Sequence, residues 1–281
     1  MYNVEKSIKE LNLSDDFLFA KVMSDKEICK KVLETILKIE IKRVEIPTTQ
    51  HVIDLLADGK GIRLDVYVND EKGTVYNVEM QGGKRRELPK RSRYYQGSID
   101  LDLISAGMPY ESLKKTFIIF ICTFDPFGER RCIYTFENTC RENKELLLGD
   151  ETVKIFLNTK GNTDDIDNEM KEFLFYVENT TDTYVNQATS PLIKEIHKKV
   201  MTVKESKDME VEYMTLLQRD REKREEGFEK GLEKGLEKGV QLAAAVIKLY
   251  NKGMTPSDIA AKLDASQELV DEIIHHMEES S

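Results

Sequence analysis

The sequence predicts an α/β protein, a mixed sheet flanked by helices, followed by an all-helical C-terminal extension. Three observations lead there. Helical and strand-like patterns alternate between Ser14 and Asn158 in the order helix, three strands, helix, buried strand, as a sheet with helices on its faces requires. "TFIIFICTF" (116–124) is a continuous apolar run rich in β-branched and aromatic residues, of the length of a strand buried on both faces. From about Lys194 the composition turns highly charged and helical.

The elements follow in order. "LSDDFLFAKVMSDKEICKKVLETILKI" opens on the helix-start signal Ser14-Asp15-Asp16. It then places Phe17, Val22, Ile28, Val32, Leu33, Ile36 and Leu37 at helical spacing, as one long or two short amphipathic helices. "RVEIPTTQHVIDLL" reads as strand, with Pro47 marking an edge or a bend. Residues 62–68 and 74–81 alternate apolar with polar residues around the turn-forming "NDEKG", the pattern of a hairpin. "SRYYQGSIDLDLISAG" reads as a helix closed by Gly107, and "RCIYTF" and "VKIFLN" as further strands.

Three regions are expected: a core over 1–215, a connector over 216–241 and a small helical tail over 242–281. In the connector, "EEGFEKGLEKGLEKGVQ" repeats every four residues, with Gly227, Gly231, Gly235 and Gly239 in one series and Phe228, Leu232, Leu236 and Val240 in the next. On a helix these series form neighbouring stripes that wind by roughly 40° per repeat. Each interior glycine costs about 1 kcal/mol relative to alanine, and the i,i+3 pairs Lys230–Glu233 and Lys234–Glu237 return only about 0.2–0.5 kcal/mol apiece. Close packing against a partner helix, as in a homo-oligomer, is one reading; a flexible connector is the other. The tail resembles a helix-turn-helix, but its would-be recognition helix, 267–279, carries Glu268, Asp271, Glu272, Glu278 and Glu279 with no Lys or Arg. That charge opposes insertion between phosphates and favours protein contact.

With 281 residues, 40% hydrophobic and 33% charged, the chain can bury a real core. The net charge of −10 argues against non-specific coating of nucleic acid. No run of eighteen apolar residues occurs and no secretory signal opens the chain, so a cytoplasmic protein with no membrane segment is expected. Cys29, Cys122, Cys132 and Cys140 form no C-x-x-C pair, which points to reduced structural thiols rather than zinc. No G-x-S-x-G, Walker loop or G-x-G-x-x-G is present. His51, His197, His275 and His276 are a poor basis for catalysis: two lie in the acidic tail, one in a charged helix and one in a strand-like run.

The chemistry-bearing signal is the acid pair in "RLDVYVNDEKGTVYNVEMQ". Asp is disfavoured in strands and Glu is little better, yet Asp65 and Glu79 both interrupt hairpin strands. If the strands pair, residues of like parity share a face, so Asp65 lies near Glu79 and Gln81 points the same way. Two carboxylates converging at a sheet edge suit Mg²⁺ or Mn²⁺. Immediately after comes "KRRELPKRSR", with Lys84, Arg85, Arg86, Lys90, Arg91 and Arg93 against Glu87 alone, available to hold phosphates. Metal-assisted hydrolysis of a phosphodiester is the matching reaction. On spacing alone, Asp65 and Glu79 read equally well as solvent-facing strand acids, and the basic run as a solvated loop and helix start. Tyr94 and Tyr95 cannot both face one way on a helix, so at least one belongs to the core.

"RLDVYV", then "YNVEMQ", then "RSRYY" resembles the PD-(D/E)XK nuclease family transposases, a likeness that extends from "SDDFLFAKVMSD" to about residue 160 and includes the glycine-tetrad tail. The resemblance implies a restriction-endonuclease-like fold and a Mg²⁺- or Mn²⁺-dependent DNA endonuclease linked to recombination or mobile elements. It implies that Asp65 and Glu79 are metal ligands with the Met80 carbonyl completing the site. Gln81 stands where the wider superfamily has Lys, and it can orient a water or a phosphate but supplies no charge and no base. Lys84, Arg85, Arg86, Arg91, Arg93, Tyr94 and Tyr95 are the implied DNA contacts, and Glu34 is the first-helix acid that the superfamily often adds. Leu64 precedes Asp65 where the motif has proline. The rival readings are an inactive nuclease fold kept as an interaction scaffold, and a DNA-binding regulator acting through the C-terminal helices.

Overall fold

The helical opening divides in two. Helix α1 (Asp16–Met23) ends at Ser24, and Asp25 starts α2 (Lys26–Leu37) by accepting from the backbone N–H of Glu27 at 3.2 Å and of Ile28 at 3.4 Å. These are donors that a first helical turn leaves unpaired. In the computed structural model, residues 6–46, 52–53, 62–63, 65–83 and 87–279 are described. They form two compact units, 1–211 and 212–281.

The first unit is built on strands β1 (Val44–Glu45), β2 (Val52–Ile53), β3 (Ile62–Arg63), β4 (Val66–Asp70), β5 (Val75–Gln81), β6 (Thr116–Cys122), β7 (Ile133–Phe136) and β8 (Thr152–Asn158). Six of them form one mixed sheet in the order β1-β4-β5-β6-β8-β7, while β2 and β3 pair separately. The β1, β4 and β5 neighbours are antiparallel, β5, β6 and β8 run parallel, and β7 returns antiparallel at the edge. A parallel neighbour needs a crossover. Helix α3 (Leu88–Leu103) supplies it between β5 and β6. Every residue of β6 is buried, as the apolar run 116–124 requires.

The hairpin differs from the sequence expectation in one respect that bears on the site. The strand expected over 62–68 is broken: Ile62 and Arg63 pair with Ile53 and Val52, Asp65 lies in a bend, and the main-sheet strand starts at Val66. The break has a local cause, because the Asp65 N–H donates to the Glu79 carboxylate at 3.2 Å instead of to a neighbouring strand carbonyl. The turn itself closes on Asp70, whose Oδ1 accepts from the N–H groups of Lys72 and Thr74, with Gly73 at φ +80°. Of the segment 43–56, residues 47–51 and 54–56, including Pro47 and His51, lie outside the described residues.

Along β5, Val75, Asn77, Glu79 and Gln81 face one side of the sheet with Ile118, Phe120 and Cys122 of β6, their register partners or neighbours. Helix α3 packs on this face, burying Leu88, Ser92, Tyr95 and Ile99 at helical spacing. It begins earlier than expected, with Pro89 in its first turn where no N–H is needed, and ends at Leu103, ahead of Gly107. The opposite face meets α1, which also packs against α2 and α6 (Pro191–Glu205); α4 (Asn168–Glu178) and the short α5 (Asp182–Val185) pack on α6. The Tyr176 hydroxyl lies 2.8 Å from His197 Nδ1, and His197 Nε2 lies 2.7 Å from Asp182, which gives that histidine structural partners.

Helix α7 (Lys207–Tyr250) is continuous through the tetrad repeat, where Lys230 meets Glu226 at 3.5 Å rather than the expected Glu233. Its last turns join α8 (Pro256–Leu263) and α9 (Gln267–Glu279) around Val246, Ile259, Ala260, Val270 and Ile274. Thr255 caps α8 by accepting from the Asp258 N–H, and Asp264 turns the chain at φ 52°. Among the described residues, no helix is long and apolar enough to cross a membrane.

Candidate active site

The register of the hairpin sets the site. Val66 pairs with Val78 and Tyr67 with Asn77, so one further step brings Asp65 opposite Glu79. The two are tied crosswise: Asp65 N–H donates to Glu79 Oε1 at 3.2 Å, and Asp65 Oδ2 accepts from the Met80 N–H at 3.1 Å. Glu79 is only 1% exposed. Burial, and then the neighbouring Asp65 carboxylate, push its pKa up to about 8, outweighing the hydrogen bonds and the Arg91 charge that favour the ionised form.

Three further side chains close on the pair. Gln81 donates from Nε2 to the Met80 carbonyl at 2.6 Å and accepts at Oε1 from Arg91 Nη1 at 3.0 Å. Arg91 Nη2 donates to Glu79 Oε2 at 3.2 Å, and Nε donates to the Tyr95 hydroxyl at 2.7 Å. The spacing of Arg91 and Tyr95 places both on one side of α3. Beneath them, the Arg91 guanidinium lies 5.1 Å from the Tyr95 ring centroid and 5.9 Å from that of Phe120, and Tyr95 stacks on Phe120 at 6.2 Å. Burial and the Glu79 charge lift the Tyr95 hydroxyl to about 12, so it stays protonated.

The sequence-derived candidates thus separate. Asp65, Glu79, Met80, Gln81, Arg91 and Tyr95 come together. Arg91 faces the acids, partly buried, rather than an open DNA surface, because Glu79 and Gln81 both accept from it. Tyr95 is core and Tyr94 is 41% exposed; Arg93 is exposed on the same helix. Lys84, Arg85 and Arg86 lie outside the described residues. Glu34 is not brought to the pair: its carboxylate accepts from the Ile41 N–H at 2.9 Å and meets Lys30 at 3.1 Å, beside a cleft lined by Lys31, Thr35, Lys38 and Glu169. The residue missed is Asn77, fully buried. With its amide nitrogen turned inward it donates to Val66 C=O at 3.2 Å and to Glu79 Oε1 at 3.3 Å. Its parity with Glu79 and Gln81 was the available signal.

A profile of the PD-(D/E)XK nuclease family transposases matches residues 14–235, from the start of the first helix into the tetrad repeat. The chain belongs to that family. No curated protein and no solved structure matches it. The mixed six-stranded sheet flanked by helices is consistent with the PD-(D/E)XK nuclease-like fold, and family membership points to nuclease-like chemistry on DNA. In this transposase-family chain the acid pair sits on β5 and the bend before β4, with Gln81 two residues after Glu79 on the same strand.

The donor set fits a hard divalent cation: two carboxylates and a backbone carbonyl, all oxygen. Among the described residues, no three His, Cys, Asp or Glu side chains converge. Mg²⁺ is ordinarily content with one or two protein carboxylates, keeping water and substrate phosphate for the rest. The raised Glu79 pKa is a further mark of fit, since it records a buried carboxyl with too little positive charge nearby.

Proposed function

We propose that the chain is a metal-dependent DNA endonuclease that hydrolyses phosphodiester bonds, with Asp65, Glu79 and the Met80 carbonyl holding Mg²⁺ or Mn²⁺. The observation that carries this reading is the crosswise Asp65–Glu79 pairing at the edge of the hairpin, with Arg91 and Gln81 against it. When bound, the cation would neutralise phosphoryl charge and lower the pKa of the attacking water.

The chain's own groups do the rest. Glu79 would hold the cation as its ionised carboxylate, because an adjacent positive charge favours that form against burial. Asp65 is aimed by the Met80 N–H. The Met80 carbonyl has two lone pairs, so it accepts from Gln81 and still offers one to the metal. Arg91 supplies the fixed positive charge that Gln81 lacks, and its planar fork suits a phosphate oxygen pair as well as a carboxylate. Lys90, Arg93 and Tyr94 lie exposed on α3 and would contact the DNA backbone. Recombination or mobile-element DNA is the family's implied setting. A cytoplasmic site of action agrees with four free thiols, three of them buried.

One observation favours a second reading, that of an inactive scaffold: Arg91 already takes the cation's place beside Glu79. The test is nicking of supercoiled plasmid by purified protein with Mg²⁺ or Mn²⁺, alongside EDTA and Asp65→Ala. Cleavage that requires metal and is lost in the variant supports the nuclease. A folded, metal-supplied protein that leaves plasmid intact supports the scaffold.

A further inference from the structure

We propose that the loop 125–131 is a second contact for the DNA backbone, with Arg130 and Arg131 binding phosphates away from the cleaved bond. This rests on the reading of the chain as a DNA endonuclease. The loop leaves β6 at the strand end beside the acid pair, where the Thr123 N–H donates to the Gln81 carbonyl at 3.1 Å. It then folds over the face that carries α3. Phe127 packs edge-on against Phe156 with ring centroids 5.1 Å apart, and Phe156 stacks on Phe120, the ring beneath Tyr95 and Arg91. The strand that carries Phe156, β8, lies two strand spacings from β5, roughly 10 Å. That is about three base-pair rises of roughly 3.4 Å, so one duplex can touch both places.

The loop is built to hold its two arginines in place. The Asp125 carboxylate accepts from the N–H groups of Phe127 at 3.1 Å, Gly128 at 2.9 Å and Arg130 at 2.7 Å, and from the Tyr134 hydroxyl at 2.8 Å. Both arginine carbonyls are also fixed: that of Arg130 accepts from the Asn162 N–H at 2.7 Å, and that of Arg131 from Asn158 Nδ2 at 3.0 Å. Gly161 comes so close that an added Cβ would lie 2.6 Å from the Arg131 carbonyl. Arg130 is held at φ 58°, a conformation uncommon outside glycine. Its side chain is exposed and meets no carboxylate among the described residues. A strained, over-determined backbone beneath a side chain with no use inside the fold is the mark of a functional position. Arg131 meets Asp165 at 3.7 Å with both side chains largely exposed, a weak pair that a phosphate can replace. Of the loop's acids, Asp125 is occupied by its four donors, and Glu129 alone faces solvent beside the two arginines.

The test measures binding of fluorescein-labelled duplex DNA by anisotropy, with full-length chains in EDTA and salt raised from about 50 to about 200 mM. Each phosphate contact contributes about 0.9 to the slope of log affinity against log salt. Arg130→Ala with Arg131→Ala is expected to lower that slope by about 2. Arg141→Ala with Lys144→Ala makes the same charge change in the exposed loop at the other end of β8, and is expected to leave the slope as in wild type. Asp125→Asn separates presentation from charge. It keeps an oxygen for Phe127, Gly128 and Tyr134 but offers no acceptor to the Arg130 N–H. On charge alone, losing an acid tightens DNA binding; release of Arg130 is expected to weaken it instead. Circular dichroism establishes that each variant is folded. An unchanged slope in the arginine variant, an equal fall in the Arg141 and Lys144 control, or tighter binding by Asp125→Asn would overturn the proposal. So would a wild type that binds no duplex at about 50 mM salt. Because binding is read without metal, the two readings fail separately. A chain that binds through this loop but never nicks plasmid loses the nuclease reading alone, and one that nicks plasmid while the arginine variant binds as wild type loses only this contact.

Discussion

Asp65 and Glu79 hold one another across the hairpin: the Asp65 N–H donates to Glu79 Oε1 at 3.2 Å, while Asp65 Oδ2 accepts from the N–H of the residue after Glu79 at 3.1 Å. Each acid is therefore positioned by backbone belonging to the other's strand. A pair arranged in this way keeps its geometry when one charge is removed, and that allows charge to be separated from structure. Asp65→Asn leaves an oxygen for the Met80 N–H but removes the anion. Cleavage is expected to fall by about 10²-fold or more, the scale of losing a preorganised charge at a reacting centre, with the thermal midpoint little changed.

The Glu79 pKa sets a pH signature. In the folded chain Glu79 keeps its proton to about pH 8, against 4.5 for the ordinary carboxyl. Between those values the folded state binds the extra proton, so its stability is greatest at the acid end and is lost as pH rises toward 8. In EDTA the urea midpoint of wild type is expected to decline across this window and level off above it. Glu79→Gln should remove that part of the slope. Divalent-ion affinity should run the opposite way, tightening as pH rises, because binding must displace the proton.

Arg91 joins the acids to the helix that carries it. Arg91→Lys retains the charge but cannot meet Glu79, Gln81 and Tyr95 together, since a single ammonium lacks the planar fork. Its expected effects are cleavage reduced by about tenfold or more and stability reduced by roughly 1–3 kcal/mol, the cost of buried acceptors left without a donor. Rates across pH, together with urea unfolding, would check both. The loss of one binding partner for ionised Glu79 should also move the acid limb of the pH–rate profile upward.

Phe120 supports the site from below. It is fully buried on β6, stacked on Tyr95 and on Phe156 at 5.3 Å. Phe120→Ala is expected to cost about 3–5 kcal/mol, measurable by denaturant unfolding. It should also weaken cleavage in the fraction that remains folded, because Tyr95 loses the surface that aims Arg91.

Much of this was legible in the sequence, for identifiable reasons. The run Thr116–Cys122 announced the central strand because burial on both faces leaves no polar positions. The parity of Asp65, Glu79 and Gln81 announced their convergence because side chains alternate across a strand. What was not legible depended on tertiary reach. Glu34 lies on α2, where its carboxylate turns back to Lys30 and to the Ile41 N–H, partners that spacing does not reveal. Arg91 read as one basic residue in a cationic run, and only the packing of α3 on the Phe120 face turned it toward Glu79. The bend at Asp65 was hidden because strand propensity continues across it, and a side-chain acceptor fourteen residues away interrupts the ladder.

The claim on which the rest depends is that Asp65 and Glu79 together form the cation site. It is tested most directly by calorimetric titration of Mn²⁺ into wild type, Asp65→Asn and Glu79→Gln at the same pH, each shown to be folded. Saturable binding is expected in wild type, and its loss, or a weakening of at least about tenfold, in each variant. Equal binding in all three proteins would contradict it, placing any metal elsewhere and leaving the acid pair a structural tie.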